Sequence, residues 1–161
     1  YQIRDGACRS EAFDLGAAAS EGLTPLVHMA ESKGVTIHNG IGRLEAYGDE
    51  ALVRIVFRNL VSNAIKFSPH GGIVHVTAAE ADDAGMLRVT VRDEGVGIPA
   101  AASAALFDLD NTVSSLGTHG EKGTGLGLYL CRDIVSRHGG VISVDSTLGA
   151  GAAFWFTLPS A

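Results

Sequence analysis

The stretch GEKGTGLGLYL, residues 120–130, sets four glycines in eight positions and then runs into leucines. Glycine at that density is costly, because each one loses more backbone freedom on folding than any other residue. Gly123, Gly125 and Gly127 stand in GxGxG spacing before an apolar helix predicted from about Leu126 to His138. Backbone N–H groups at a helix start bind anions, and glycine lets a phosphate come close. The third glycine falls one residue too early for the GxGxxG dinucleotide fingerprint, and no strand immediately precedes the run. The GxxxxGK[ST] pattern is absent, which excludes a P-loop. Taken alone, the run could equally be a hinge.

Working outward, residues 108–122 (DLDNTVSSLGTHGEK) show little apolar periodicity and read as a mobile lid. Beyond the glycines, strands are predicted at Val141–Ser146 and Ala152–Leu158. Upstream, Ile73–Ala79 and Met86–Arg92 alternate apolar and polar residues around Asp82-Asp83-Ala84-Gly85, a hairpin signal. The strongest helix runs from an N-cap at Asp49 to about Phe67, where Ser68-Pro69-His70-Gly71-Gly72 stops it. Before it come an extended start at Ala12–Leu15 and a helix over Gly16–Lys33 that Pro25 must kink. Strands are predicted at Val35–His38 and, weakly, Leu44–Tyr47, and a short helix ends at Phe107. Helices and strands alternate while hairpins recur, so the expected fold is an α/β two-layer sandwich with a mixed sheet.

Two other groups of residues carry chemistry. On the helix at 49–67, Asn59, Asn63 and Lys66 are spaced i, i+4, i+7, which puts them within roughly 60° of one another on the helical wheel. They lie at the edge of the apolar face made by Val53, Val56, Leu60 and Ala64. The two carboxamides either cap neighbouring strands or offer oxygen to a hard cation, with the lysine reaching phosphate beside them. The second group is Asp93-Glu94-Gly95-Val96-Gly97. Asp93 follows a strand whose Leu87, Val89 and Val91 point to a core, so its carboxylate is costly unless it accepts hydrogen bonds. It would suit a purine amino group; an aspartate in a tight turn is the plainer alternative.

The motifs NLVSNAIKF (59–67), DEGVGIP (93–99) and GTGLGL (123–128) stand in order along the chain. Together they resemble the N, G1 and G2 boxes of the ATP-binding catalytic domain of sensor histidine kinases, a Bergerat-type fold. The likeness extends to Phe13-Asp14-Leu15 and the closing FxFTLP pattern, so it covers the chain from Phe13. It implies a mixed sheet on three main helices under a mobile ATP lid at about 108–122, with residues 1–12 a linker and 13–159 the domain. It further implies that Asn63 holds Mg²⁺, that Asn59 assists at the phosphates and that Lys66 pairs with them. Asp93 would accept from adenine, in a base pocket shaped by Gly95 and Gly97 with Ile98 and Phe107 beside it. Gly123, Gly125 and Gly127 would bind phosphate through backbone amides, aided by Lys122, Thr124 and Leu126.

Two features depart from the family pattern. The F box keeps only Phe107 of its two phenylalanines, which leaves the packing of the lid open. The closing GxGTxF reads Gly149-Ala150-Gly151-Ala152-Ala153-Phe154, with alanine for threonine.

Kinases of this family phosphorylate a histidine followed by Glu or Asp on a helical dimerisation domain. None of the six histidines (28, 38, 70, 75, 119 and 138) fits, and each reads as a surface or turn residue. The resemblance therefore implies a chain that binds ATP without efficient autophosphorylation and is monomeric by itself. Its phosphoryl group would pass to a histidine-bearing domain of a homodimeric full-length protein and then to a response regulator. Asn59 stands where hydrolytic relatives carry a glutamate, and a carboxamide cannot take a proton from water. A serine kinase of the anti-sigma type and a degenerate nucleotide-sensing module are the alternatives.

Composition agrees with one globular domain: 161 residues, 46 % apolar and 19 % charged. A net charge of −6 argues against nucleic acid as a partner. Cys8 and Cys131 stand in no metal or redox spacing and read as reduced thiols. No apolar run approaches a membrane span, so a cytoplasmic domain is expected, free or as the cytoplasmic part of an anchored sensor. A chain that opens on Tyr1 reads as a piece of a longer protein.

Overall fold

A computed structural model describes residues 9–95, 97, 107, 127–146 and 151–161. The 108–122 lid, the helix expected before Phe107, and Ile98, Lys122, Gly123, Thr124, Gly125 and Leu126 lie outside the described residues, as does Cys8.

Strand β1 (Glu11–Asp14) leads into α1 (Leu15–Leu23), whose N-terminus is capped by the Asp14 carboxylate accepting from Ala17 N at 3.1 Å. The kink expected at Pro25 is a 3-10 turn, Thr24–Leu26, before α2 (Val27–Lys33). Proline has no N–H to offer and clashes with the preceding turn, so the regular helix has to break there. Next come β2 (Thr36–Asn39), β3 (Glu45–Gly48) and α3 (Glu50–Phe67). The hairpin β4 (Ile73–Glu80) and β5 (Met86–Arg92), α4 (Gly127–Arg137), β6 (Ile142–Ser146) and β7 (Ala152–Pro159) complete the described elements.

Five strands form one sheet in the order β2-β4-β5-β7-β6, with β2 parallel to β4 and the remaining pairs antiparallel. The weak strand at 45–48 does not join it. It pairs with β1 in a separate two-stranded ribbon, tied to the end of β7 by a bridge from Ala46 to Ser160.

Alternation along β5 and β7 turns Leu87, Val89, Val91, Phe154, Phe156 and Leu158 toward the helices. The opposing layer comes from α3, where Val53, Val56, Phe57, Leu60, Val61 and Ile65 are fully buried, and from Cys131, Ile134 and Val135 of α4. Phe57 meets Phe156 edge to face at 5.7 Å across the two layers. Each such side chain contributes roughly 1.5–3 kcal/mol by leaving water. That burial holds α3 in place and so fixes the polar stripe at its margin.

Candidate functional site

The stripe on α3 is set by helical spacing. Asn59, Asn63 and Lys66 are each half-buried on the edge of the face that packs on the sheet. Asn59 Nδ2 donates to Ile55 O at 2.9 Å within its own helix, so its carboxamide caps no strand. Its Oδ1 faces Gly127, the first residue of α4, where an added Cβ would come within 2.9 Å. The N-box helix and the last G2 glycine are thus in direct contact.

Three carbonyls of the C-terminal turn of α3 have donors beyond the helix. Ala64 O accepts from Ser68 N and Oγ, and Ile65 O from Ser68 N and Lys33 Nζ. Lys66 O also accepts from Lys33 Nζ. An ammonium on the last carbonyls of a helix is favourable both as a donor and against the helix dipole. Sequence reading missed Lys33, because a lysine ending α2 looks like that helix's own terminal charge.

Phe67 O, the carbonyl that follows, lies against Gly95, where a Cβ would fall 2.0 Å away. Only a residue without a side chain allows the 93–95 turn to come this close. Asp93, 2 % exposed, accepts from Gly95 N at 2.8 Å and from Ala152 N at 3.3 Å, and its own N–H donates to Ala152 O at 2.9 Å. Both side-chain bonds end on Oδ1; Oδ2 takes part in neither. Burial pushes the carboxyl above its ordinary value, and the two backbone donors offset part of that.

Gly151 completes the grip on Asp93. Its φ of +85° suits glycine, and a Cβ there would sit 2.2 Å from Asp93 O. Sequence reading placed Gly151 and Ala152 in the closing GxGTxF pattern and missed their contact with Asp93. The alanine that replaces the family's threonine still supplies its backbone to Asp93.

Gly97 has φ +75°. Phe107 is buried with its ring 6.1 Å from Phe154, so one F-box phenylalanine is anchored on β7. Cys131 is a free, buried thiol pushed up to about 12 by burial, consistent with an inert packing residue.

His138 lies in the turn that follows α4, as expected of it, but its ring is partly buried and both nitrogens are bonded. The helix that places it, and its Ile134 partner four residues back, are local in the sequence, but its other partner, Asp49 N, lies 89 residues earlier.

Asn59, Asn63, Lys66, Asp93, Gly95 and Gly127 are distributed over two helices and a turn that meet at the C-terminal half of α3. Carboxamides, a lysine, a buried carboxylate and glycine-permitted backbone contacts are chemically able to hold a polyanion and a base.

The chain belongs to the family of histidine kinase-, DNA gyrase B- and HSP90-like ATPases, whose model matches residues 48–161. It is 34 % identical over 149 residues to the adaptive-response sensory kinase SasA of Prochlorococcus marinus, covering 91 % of this chain and 40 % of that one. Among solved structures, the mycobacterial sensor histidine kinase MprB superposes with a TM-score of 0.78 at 25 % identity, over 94 % of this chain and 98 % of that one. Full-length ShkA, solved in complex with AMPPNP, gives 0.78 at 30 % identity over 94 % of this chain and 31 % of that one. Within its family, then, this is a catalytic, ATP-binding domain of the sensor histidine kinase kind, and it spans about two fifths of the length of the curated relative. Among the described residues no helix is long and apolar enough to cross a membrane.

Proposed function

We infer that this domain binds Mg-ATP at the C-terminal half of α3 and presents the γ-phosphate to a histidine imidazole on a separate helical dimerisation domain, for onward transfer to a response regulator. The observation that carries the reading is Asp93: buried, gripped through one oxygen by backbone donors, with the other oxygen outside those bonds. An adenine amino group donating to that oxygen would offset the desolvation of the carboxylate.

Asn63 is the proposed metal ligand. No group of three or more His, Cys, Asp or Glu able to hold a metal occurs among the described residues. A cation held mainly by phosphates and water, through one neutral protein oxygen, fits magnesium. Bound there, Mg²⁺ neutralises phosphate charge.

Lys66 is the proposed phosphate partner. Asn59 joins the phosphate end of the pocket to Gly127, and the amides of the glycine run take the remaining oxygens. Phosphoryl transfer asks a protein mainly for positioning and charge neutralisation. Asn59 cannot deprotonate water, so the site favours an external imidazole over hydrolysis. The acceptor domain, the response regulator and a homodimeric full-length protein belong to this proposal, which SasA's name as a sensory kinase and ShkA's AMPPNP complex support.

Mixing this chain, γ-labelled ATP and the histidine-bearing helical domain of the same protein tests the reading. The expected product is an acid-labile, alkali-stable phosphohistidine on the helical domain, absent with Asp93→Asn. Label on serine, or nucleotide binding with no transfer under any condition, would overturn it in favour of a serine kinase or a sensing module.

A further inference from the structure

His138 has no part in the site just described. Asp49 N donates to His138 Nε2 at 2.9 Å. A backbone N–H can only donate, so Nε2 carries the lone pair. The other nitrogen, Nδ1, lies 2.8 Å from Ile134 O, and a carbonyl can only accept, so the proton is on Nδ1. Both partners are backbone groups, and together they select one neutral tautomer.

The ring also needs Gly48, where a Cβ would fall 2.3 Å from the imidazole. Asp49 is the N-cap of α3, its carboxylate accepting from Leu52 N at 3.2 Å. His138 therefore ties the C-terminal end of α4 to the first turn of the helix that carries Asn59 and Asn63.

Contacts between α3 and α4 fall in a regular antiparallel series. Asp49 meets His138, the Val56 carbonyl lies 3.9 Å from Cys131 Sγ, and Asn59 meets Gly127. At the Asn59 end there is no slack, since even a methyl on Gly127 would crowd Oδ1. A helix held at its middle by a buried residue swings at one end when the other is released.

We propose that His138 is a positioning residue for nucleotide binding: by accepting from Asp49 N it sets the angle of α4 against α3 and so the seat of Gly127 beside Asn59. This rests on the reading that Gly127 and Asn59 flank bound phosphate. His138 touches neither nucleotide nor metal; it acts through the two helices.

Two substitutions separate the bond from mere packing. His138→Gln keeps an acceptor within reach of Asp49 N and gives up the ring. His138→Phe keeps the ring against Gly48 and gives up the acceptor.

Calorimetric titration with AMPPNP and Mg²⁺, on chains shown folded by circular dichroism, is expected to find His138→Phe weaker by about 3- to 30-fold. His138→Gln is expected to stay within about twofold of the native chain. Native-like affinity in His138→Phe, or equal losses in both, would overturn the proposal, because the ring's packing and not its lone pair would then matter. Should His138→Phe fail to fold, ¹⁵N-resolved imidazole NMR of the native chain decides: a proton on Nδ1 is expected, and one on Nε2 overturns it. If the native chain itself binds no AMPPNP, the reading of the site has failed instead, and the NMR result still stands or falls by itself.

Discussion

The two ends of α3 are each anchored beside a buried aspartate, and the two carboxylates are spent differently. At the N-terminal end, Asp49 uses both oxygens within the fold: Oδ1 accepts from Leu52 N and Oδ2 from Arg9 N. Near the C-terminal end, Asp93 takes both backbone donors on Oδ1, leaving Oδ2 outside them and the carboxyl raised by burial. One aspartate completes a helix. Among the described residues the other keeps one oxygen outside its backbone bonds, and such a buried carboxylate is what a ligand's donor can complete.

The sharpest way to break this comparison is Asp93→Asn. Its carboxamide still accepts from Gly95 and Ala152 but points an N–H₂ where the ligand's donor should arrive. Affinity for AMPPNP is expected to fall by about 100-fold or more, or roughly 2.7 kcal/mol. Without nucleotide, the same variant is expected to melt higher than the native chain, because a desolvated charge has gone. A binding loss accompanied by lower melting would mean that Asp93 serves the fold after all.

Gly151→Ala comes next. Its Cβ would collide with Asp93 O in a backbone conformation strained for alanine, so a loss of about 2–3 kcal/mol in denaturant-derived stability is expected. At the other end of α3, Asp49→Ala removes a cap and should cost about 1–2 kcal/mol of stability. Its effect on nucleotide affinity should be well below that of Asp93→Asn. Equal effects from the two would erase the distinction between the ends. Lys33→Met, which removes the ammonium from the carbonyls of Ile65 and Lys66, is expected to cost about 1 kcal/mol in the same assay.

The smallest effect is in pH. Burial raises the native pKa of Asp93 above the unfolded value of 3.8, so the folded chain holds that proton more tightly. The associated stability is present below the unfolded pKa and is lost as pH rises through the raised native one. Denaturant midpoints of the native chain are therefore expected to fall relative to Asp93→Asn as pH rises across that window. An unchanged difference would show that the backbone donors offset desolvation completely.

Much of the fold was legible because its signals are local. The Asp49 cap, the period of α3, the hairpin around residues 82–85 and the break at Pro25 each depend on neighbours within a turn or two, and the elements formed within a residue or two of the expected bounds. The ribbon was not legible: Glu45–Gly48 has the look of any short strand, and only tertiary contact sends it to β1 rather than to the main sheet. The candidate site divides in the same manner. Helical spacing alone puts Asn59, Asn63 and Lys66 on one stripe, and alternation along β5 already makes Asp93 a buried carboxylate.

By itself, then, the sequence determined which residues could hold a base, phosphates and a cation, because residue type and local period suffice for that. Tertiary structure decided how they are held: Lys33 capping a helix not its own, Gly95 and Gly151 admitting backbone against backbone, and His138 reaching Asp49 across the chain. Each of those depends on an approach of a few ångströms between segments far apart in sequence. No local pattern encodes such an approach, since it arises only when the buried faces of the helices and the sheet come together.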